Sequence, residues 1–160
     1  MLVAGIGNLF CGDDGFGPEV VRRLVASGDL PEQVRAVDYG IRGLHLAYDL
    51  LDGYDALVIV DALPGDGHPG AVTVLEVTAQ DLGAGDVDPH GMAPVAVLAS
   101  LESLGGRLPP TYVVGCRPAD TGERIGLSEP VEAAVPEAMD VLHALLRDRV
   151  PALTGLGTGG

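Results

Sequence analysis

A three-layer α/β sandwich, built on a five-stranded, mostly parallel twisted sheet with one antiparallel edge strand, is the fold this sequence predicts. Three observations carry it. Short apolar runs alternate with stretches of helical periodicity, the pattern of strands joined by crossover helices. The runs Leu2–Gly5, Ala56–Val60 and Thr111–Cys116 are continuously apolar, as strands covered on both faces must be. Between Asp61 and Ala71 there is no room for the helix that a parallel crossover needs, so the next strand turns back antiparallel at an edge.

In chain order, Leu2–Gly5 is the first strand. It runs into Gly5-Ile6-Gly7-Asn8-Leu9-Phe10-Cys11-Gly12-Asp13-Asp14-Gly15-Phe16-Gly17, a glycine-rich stretch leading to a helix from Pro18 to Ser27. That helix carries Val20, Val21, Leu24 and Val25 on one face. Val34–Asp38 is the second strand, and Gly40 and Gly43 mark the loop before a second amphipathic helix, Leu44–Leu51. Ala56–Val60, closed by Asp61, is the central third strand, and Ala71–Val77 the antiparallel fourth. An acidic loop, Gln80–Asp88, leads through Pro89-His90-Gly91 to a third helix over Met92–Leu104. Thr111–Cys116 is the fifth strand, followed by a polar loop, Arg117–Ser128. The last helix runs from Glu129 to about Arg147, with Pro136 an irregularity. Residues 1–150 read as one α/β domain, and residues 151–160, rich in Gly and Thr, as a frayed tail.

Composition narrows the function. The chain has 160 residues and a net charge of -14, and all 9 basic residues are arginine. Lacking a basic patch, it is not expected to bind nucleic acid or an anionic membrane, and lacking lysine it has no Schiff-base or Ser-Lys chemistry. Cys11 and Cys116 make no Cys-x-x-Cys pair, which argues against a structural zinc or redox motif. The first strand begins at once, leaving no room for a signal peptide, and no apolar run approaches the ~20 residues that span a bilayer. The expectation is a soluble, cytoplasmic monomer.

In open α/β sheets, ligands bind beyond the carboxyl ends of the parallel strands. That rule collects Asp13 and Asp14 after strand one, Asp38 ending strand two, Asp61 ending strand three and Arg117 after strand five, with His90 in a loop that can reach the same edge. Gly5-x-Gly7 followed by Asp38 has the outline of a dinucleotide fingerprint, but Phe10 replaces its third glycine, and the two aspartates would repel a pyrophosphate. Cys11 beside a helix start, with His90 as base, is a nucleophile candidate whose activation the same aspartates oppose. Asp14, Asp61 and His90 form an oxygen-oxygen-nitrogen set suited to Zn, Ni or Mn. Plainer readings stand beside each: an aspartate capping a helix or turn, a histidine as polar surface.

The ordered set of motifs resembles the hydrogenase maturation endopeptidases. It comprises Gly5-Ile6-Gly7-Asn8, Gly12-Asp13-Asp14-Gly15-Phe16-Gly17, Asp38-Tyr39-Gly40-Ile41-Arg42-Gly43, Val58-Ile59-Val60-Asp61-Ala62, Pro89-His90-Gly91, Gly115-Cys116-Arg117-Pro118 and Ile125-Gly126-Leu127-Ser128. The resemblance runs from about residue 2 to residue 147. It implies an endopeptidase that removes the C-terminal extension of a [NiFe]-hydrogenase large-subunit precursor after nickel insertion. It further implies Asp14, Asp61 and His90 as the catalytic, metal-contacting residues, nickel carried by the substrate, and no organic cofactor. The first of these positions is often glutamate in that family. Asp38 or Asp13 is a candidate general base, and His45, His68 and His143 match no ligand position and read as surface. A non-cleaving, nickel-dependent checkpoint for the same subunit would keep the same three residues.

Overall fold

The computed structural model describes residues 1–41, 43–65, 67–77, 101 and 103–158. One sheet of five strands organises the chain: β1 (Leu2–Ile6), β2 (Arg35–Gly40), β3 (Leu57–Ala62), β4 (Val72–Val77) and β5 (Thr111–Cys116). Their order is β2-β1-β3-β5-β4, with β1, β2, β3 and β5 parallel and β4 antiparallel to β5 at the edge. The five-stranded sheet with one antiparallel edge strand is as the sequence predicts. β3 and β5 are buried along their whole length, whereas β4 exposes its middle residues, the difference between a central and an edge strand.

Each face of the sheet carries its own core. On one, Phe16, Val20, Val21 and Leu24 of α1 (Phe16–Ser27) meet Val3, Val58, Val60 and Val114, together with Val131, Val135, Ala138 and Leu142 of the last helix, α3 (Glu129–Thr158). On the other, Leu46 and Leu50 of α2 (Gly43–Leu50) and Leu101 pack on Leu2, Ala4, Leu57, Ile59 and Val113. The alternation along β3, Val58 and Val60 one way, Leu57 and Ile59 the other, divides the apolar residues between the two outer layers.

Three details depart from the sequence reading. α1 starts at Phe16, preceded by a 3-10 turn over Gly12–Gly15, and Pro18 lies in its first turn where no N–H is needed. Val25 is exposed, because the helix's buried arc is already filled by Val21 and Leu24. α3 continues to Thr158, beyond the expected end near Arg147. It accommodates Pro136 because Pro136 and Glu132 both lie on its exposed face, where water can satisfy the freed Glu132 carbonyl. The expected third helix falls almost wholly outside the described residues, although Leu101 and Ser103 are helical.

Candidate functional site

β1 sits between β2 and β3, so the chain leaves β1 toward one neighbour and returns to the other. The loops after β1 and β3 therefore diverge and leave a crevice at their carboxyl ends. α1 can lie against this crevice only because Gly17 has no side chain. A Cβ there would strike the carbonyl oxygens of Val60 and Ile6 and the Ile6 nitrogen. Gly7 turns the chain with φ +144°, and a Cβ there would run into the Asp14 carbonyl. These two glycines let the Asp13-Asp14 turn fold back over the end of the sheet.

The adjacent aspartates have opposite environments. Asp13 is fully buried, and its carboxylate accepts four hydrogen bonds from the loop after β5. Ala119 N–H and Asp120 N–H donate to Oδ2 at 2.8 and 2.9 Å, and the Ser128 hydroxyl at 2.7 Å. Ser128 N–H donates to Oδ1 at 2.6 Å. Burial opposes ionisation, but the Ser128, Asp120 and Ala119 donors outweigh it and hold the carboxyl below its ordinary range. Backbone bonds extend the same seam: Gly12 N–H donates to the Arg124 carbonyl at 2.9 Å, Arg124 N–H to the Phe10 carbonyl at 3.0 Å and Asp13 N–H to the Asp120 carbonyl at 2.8 Å. Asp13 is thus a fastener joining two loops over 106 to 115 residues of sequence.

Asp14 is half-buried and engages one described donor, the Asn8 N–H, at 2.8 Å to Oδ2. Asp61 is buried at the end of β3, and its carboxyl is pushed up to about 8. Desolvation is the main cause and the negative charge of Asp14 the second, against a stabilising Ala62 N–H. The structure thus brings Asp14 and Asp61 together electrostatically. Neither is in an ion pair among the described residues. Two carboxylates that feel one another, one of them buried and neither ion-paired among the described residues, suit a metal cation by charge and by donor type. His90, the third member of the sequence set, lies outside the described residues.

The other candidates separate from this pair. Asp38 is exposed at the end of β2, its Oδ1 accepting from Gly40 N–H at 2.8 Å. Cys11, the nucleophile candidate, is a half-buried free thiol whose intended base His90 lies outside the described residues. The other cysteine, Cys116, is buried, and its thiol is pushed up to about 11 by burial and by the Asp13 and Glu137 charges, which keeps it protonated. His45 and His68 are exposed, as expected, whereas His143 is half-buried. Arg117 follows β5 at the same edge. Its Nε and Nη1 are the buried side-chain polar atoms without a hydrogen-bond partner among the described residues, and Gly65 and Gly67 pack directly on its guanidinium.

Comparison with known proteins agrees with this architecture. The hydrogenase maturation protease family model matches residues 18–144, a span that includes Asp61 and His90 and begins just beyond Asp14. The hydrogenase 2 maturation protease of Escherichia coli K12 is 32% identical over 152 residues, covering 92% of this chain and 91% of that protein. Among solved structures, the hydrogenase maturating endopeptidase HybD from E. coli superposes with a TM-score of 0.78 at 29% identity, covering 92% of each chain. The [NiFe] hydrogenase maturation protease HybD from Thermococcus kodakarensis gives 0.72 at 26% identity, covering 90% of this chain and 97% of that one. With most of its length matched by the family model and by full-length relatives, the chain belongs to the hydrogenase maturation proteases and is a peptidase of that family.

Proposed function

We propose that this protease removes a C-terminal extension from the large-subunit precursor of a [NiFe]-hydrogenase once nickel has been inserted. In this reading it recognises the substrate's own nickel through Asp14, Asp61 and His90. The observation that carries the reading is the Asp14–Asp61 pair, a buried carboxyl that feels the charge of a second carboxylate, neither of them in an ion pair among the described residues. The substrate class comes from the T. kodakarensis relative, a [NiFe] hydrogenase maturation protease.

Metal carried into the crevice would supply Lewis-acid polarisation of the scissile carbonyl or activation of a water. The protein's own part is to present two oxygen ligands already held at the sheet edge. Asp61 is fixed on a central strand and Asp14 on the turn that Asp13 anchors. Metal arrival also favours the ionised form of Asp61, so docking and proton release are linked. With all four donors satisfied on Asp13, Asp38 is the more available general base of the two candidates.

The test is to incubate the protease with nickel-loaded and nickel-free precursor and follow the precursor's mass. Loss of one defined C-terminal peptide from the nickel-loaded form alone is expected, and loss of that activity in Asp61→Ala and His90→Ala proteins that remain folded. Equal cleavage of both precursor forms would remove nickel recognition from the account. An unchanged mass in both would overturn the proposed cleavage.

A further inference from the structure

We propose that Leu9, Phe10, Ile41 and Ile125 form an apolar rim around the Asp14 loop that docks the hydrogenase large-subunit precursor; the inference rests on the function proposed above. These side chains are 47%, 68%, 76% and 79% exposed, and Phe10, Ile41 and Ile125 are the most exposed large apolar residues among those described. They come from three loops that hydrogen bonds draw together at the carboxyl edge of the sheet. Gly7 N–H donates to the Gly40 carbonyl at 2.9 Å, which sets the Ile41 turn against the loop after β1. Arg124 N–H donates to the Phe10 carbonyl, which sets the segment carrying Ile125 against the loop carrying Phe10. Phe10 N–H donates to Asn8 Oδ1 at 2.9 Å, and Asn8 N–H to Asp14. The loop that bears Leu9 and Phe10 is therefore tied directly to Asp14.

A loop seam held by the four bonds to Asp13 is built to keep these side chains in place, and exposed apolar surface held in place gains free energy when a partner covers it. Leu9 and Phe10 lie on the loop that carries Asp14, and Ile41 and Ile125 on the two loops bonded to it, so a polypeptide presented to Asp14 for cleavage meets these side chains. The occupant is thus the precursor, through an apolar surface flanking its cleavage site. A cluster of large apolar anchors beside a polar centre is the arrangement that concentrates binding energy in few residues.

The test compares the wild-type protein with Phe10→Ser/Ile125→Ser and with Val25→Ser, an exposed apolar residue on the outer side of α1. Both substitution sets lie on the surface, and thermal melts of each protein verify the fold. With nickel-loaded precursor, the double variant should raise KM by roughly ten- to a hundredfold with kcat within about twofold, as expected for losing two apolar anchors. Val25→Ser should change neither. An unchanged KM with wild-type cleavage intact would sink the rim and leave the proteolytic reading standing. Should the wild-type chain bind the precursor without cleaving it, the proteolytic reading fails and the dissociation constant becomes the readout for the rim, with the same fold-change expected. Sedimentation decides the rival occupant: a wild-type dimer that the double variant dissociates would assign the rim to a second copy of this chain and overturn the proposal.

Discussion

Asp13 and Asp14 are the same residue type one position apart, yet they do different work. Asp13 has every oxygen occupied by donors from the loop after β5, whereas Asp14 faces the crevice with one. Asp13→Asn would leave buried N–H groups facing an amide that is itself a donor, which should cost about 2–4 kcal/mol of folding stability, measured by urea denaturation. The pH dependence has a definite sign. Because the folded-state pKa of Asp13 lies below its unfolded value, its contribution is complete above the unfolded pKa and is lost as pH falls through the folded one. The wild-type protein should therefore lose stability faster below about pH 4 than Asp13→Asn, narrowing the gap between them. Local sequence could not separate the two aspartates, because what separates them is a set of donors more than a hundred residues away. Asp61 was legible, since an aspartate closing the most apolar strand can hardly be anything but an edge residue. That its carboxyl is pushed up to about 8 was not, for that requires knowing that Asp14 folds back beside it.

At the scale of elements, the close seating of α1 on the sheet sets the position of the Asp14 turn. The apolar spacing of Val20, Val21 and Leu24 made the helix visible in the sequence, but not how near it approaches. Gly17 carries that information. Its missing side chain lets the helix touch the backbones of β1 and β3, and Gly17→Ala meets carbonyl oxygens that no rotamer change can move. A loss of about 3 kcal/mol is expected, measured by thermal or urea unfolding, with cleavage falling as well because the turn bearing Asp14 is displaced. A wild-type unfolding midpoint for Gly17→Ala would refute the close contact. The sequence misjudged element ends at Phe16 and at Thr158 by trusting breaker residues too far. Pro18 is tolerated inside a first helical turn, where its missing N–H is not needed, and the Pro151 and Gly- and Thr-rich composition that signalled a stop did not end the last helix before Thr158.

For the whole molecule, strand order does what no single motif could. Placing β1 between β2 and β3 opens the crevice, and the turn after β1 and the end of β3 deliver one carboxylate each. The parallel order and the antiparallel edge were readable from apolar runs and a missing crossover helix; the seam tying residues 8–14 to residues 119–128 was not, being built from backbone bonds of a polar loop. No helix among the described residues is long and apolar enough to cross a membrane. The account turns on Asp14, not Asp13, being the acidic partner of Asp61 in the reaction. The measurement that tests it most directly is the single-turnover rate at which Asp14→Asn cleaves nickel-loaded precursor. The account predicts a fall of at least roughly a hundredfold with near wild-type stability, since the substitution removes a charge from the crevice and no anchor from the fold. Cleavage by Asp14→Asn at the wild-type rate would contradict it.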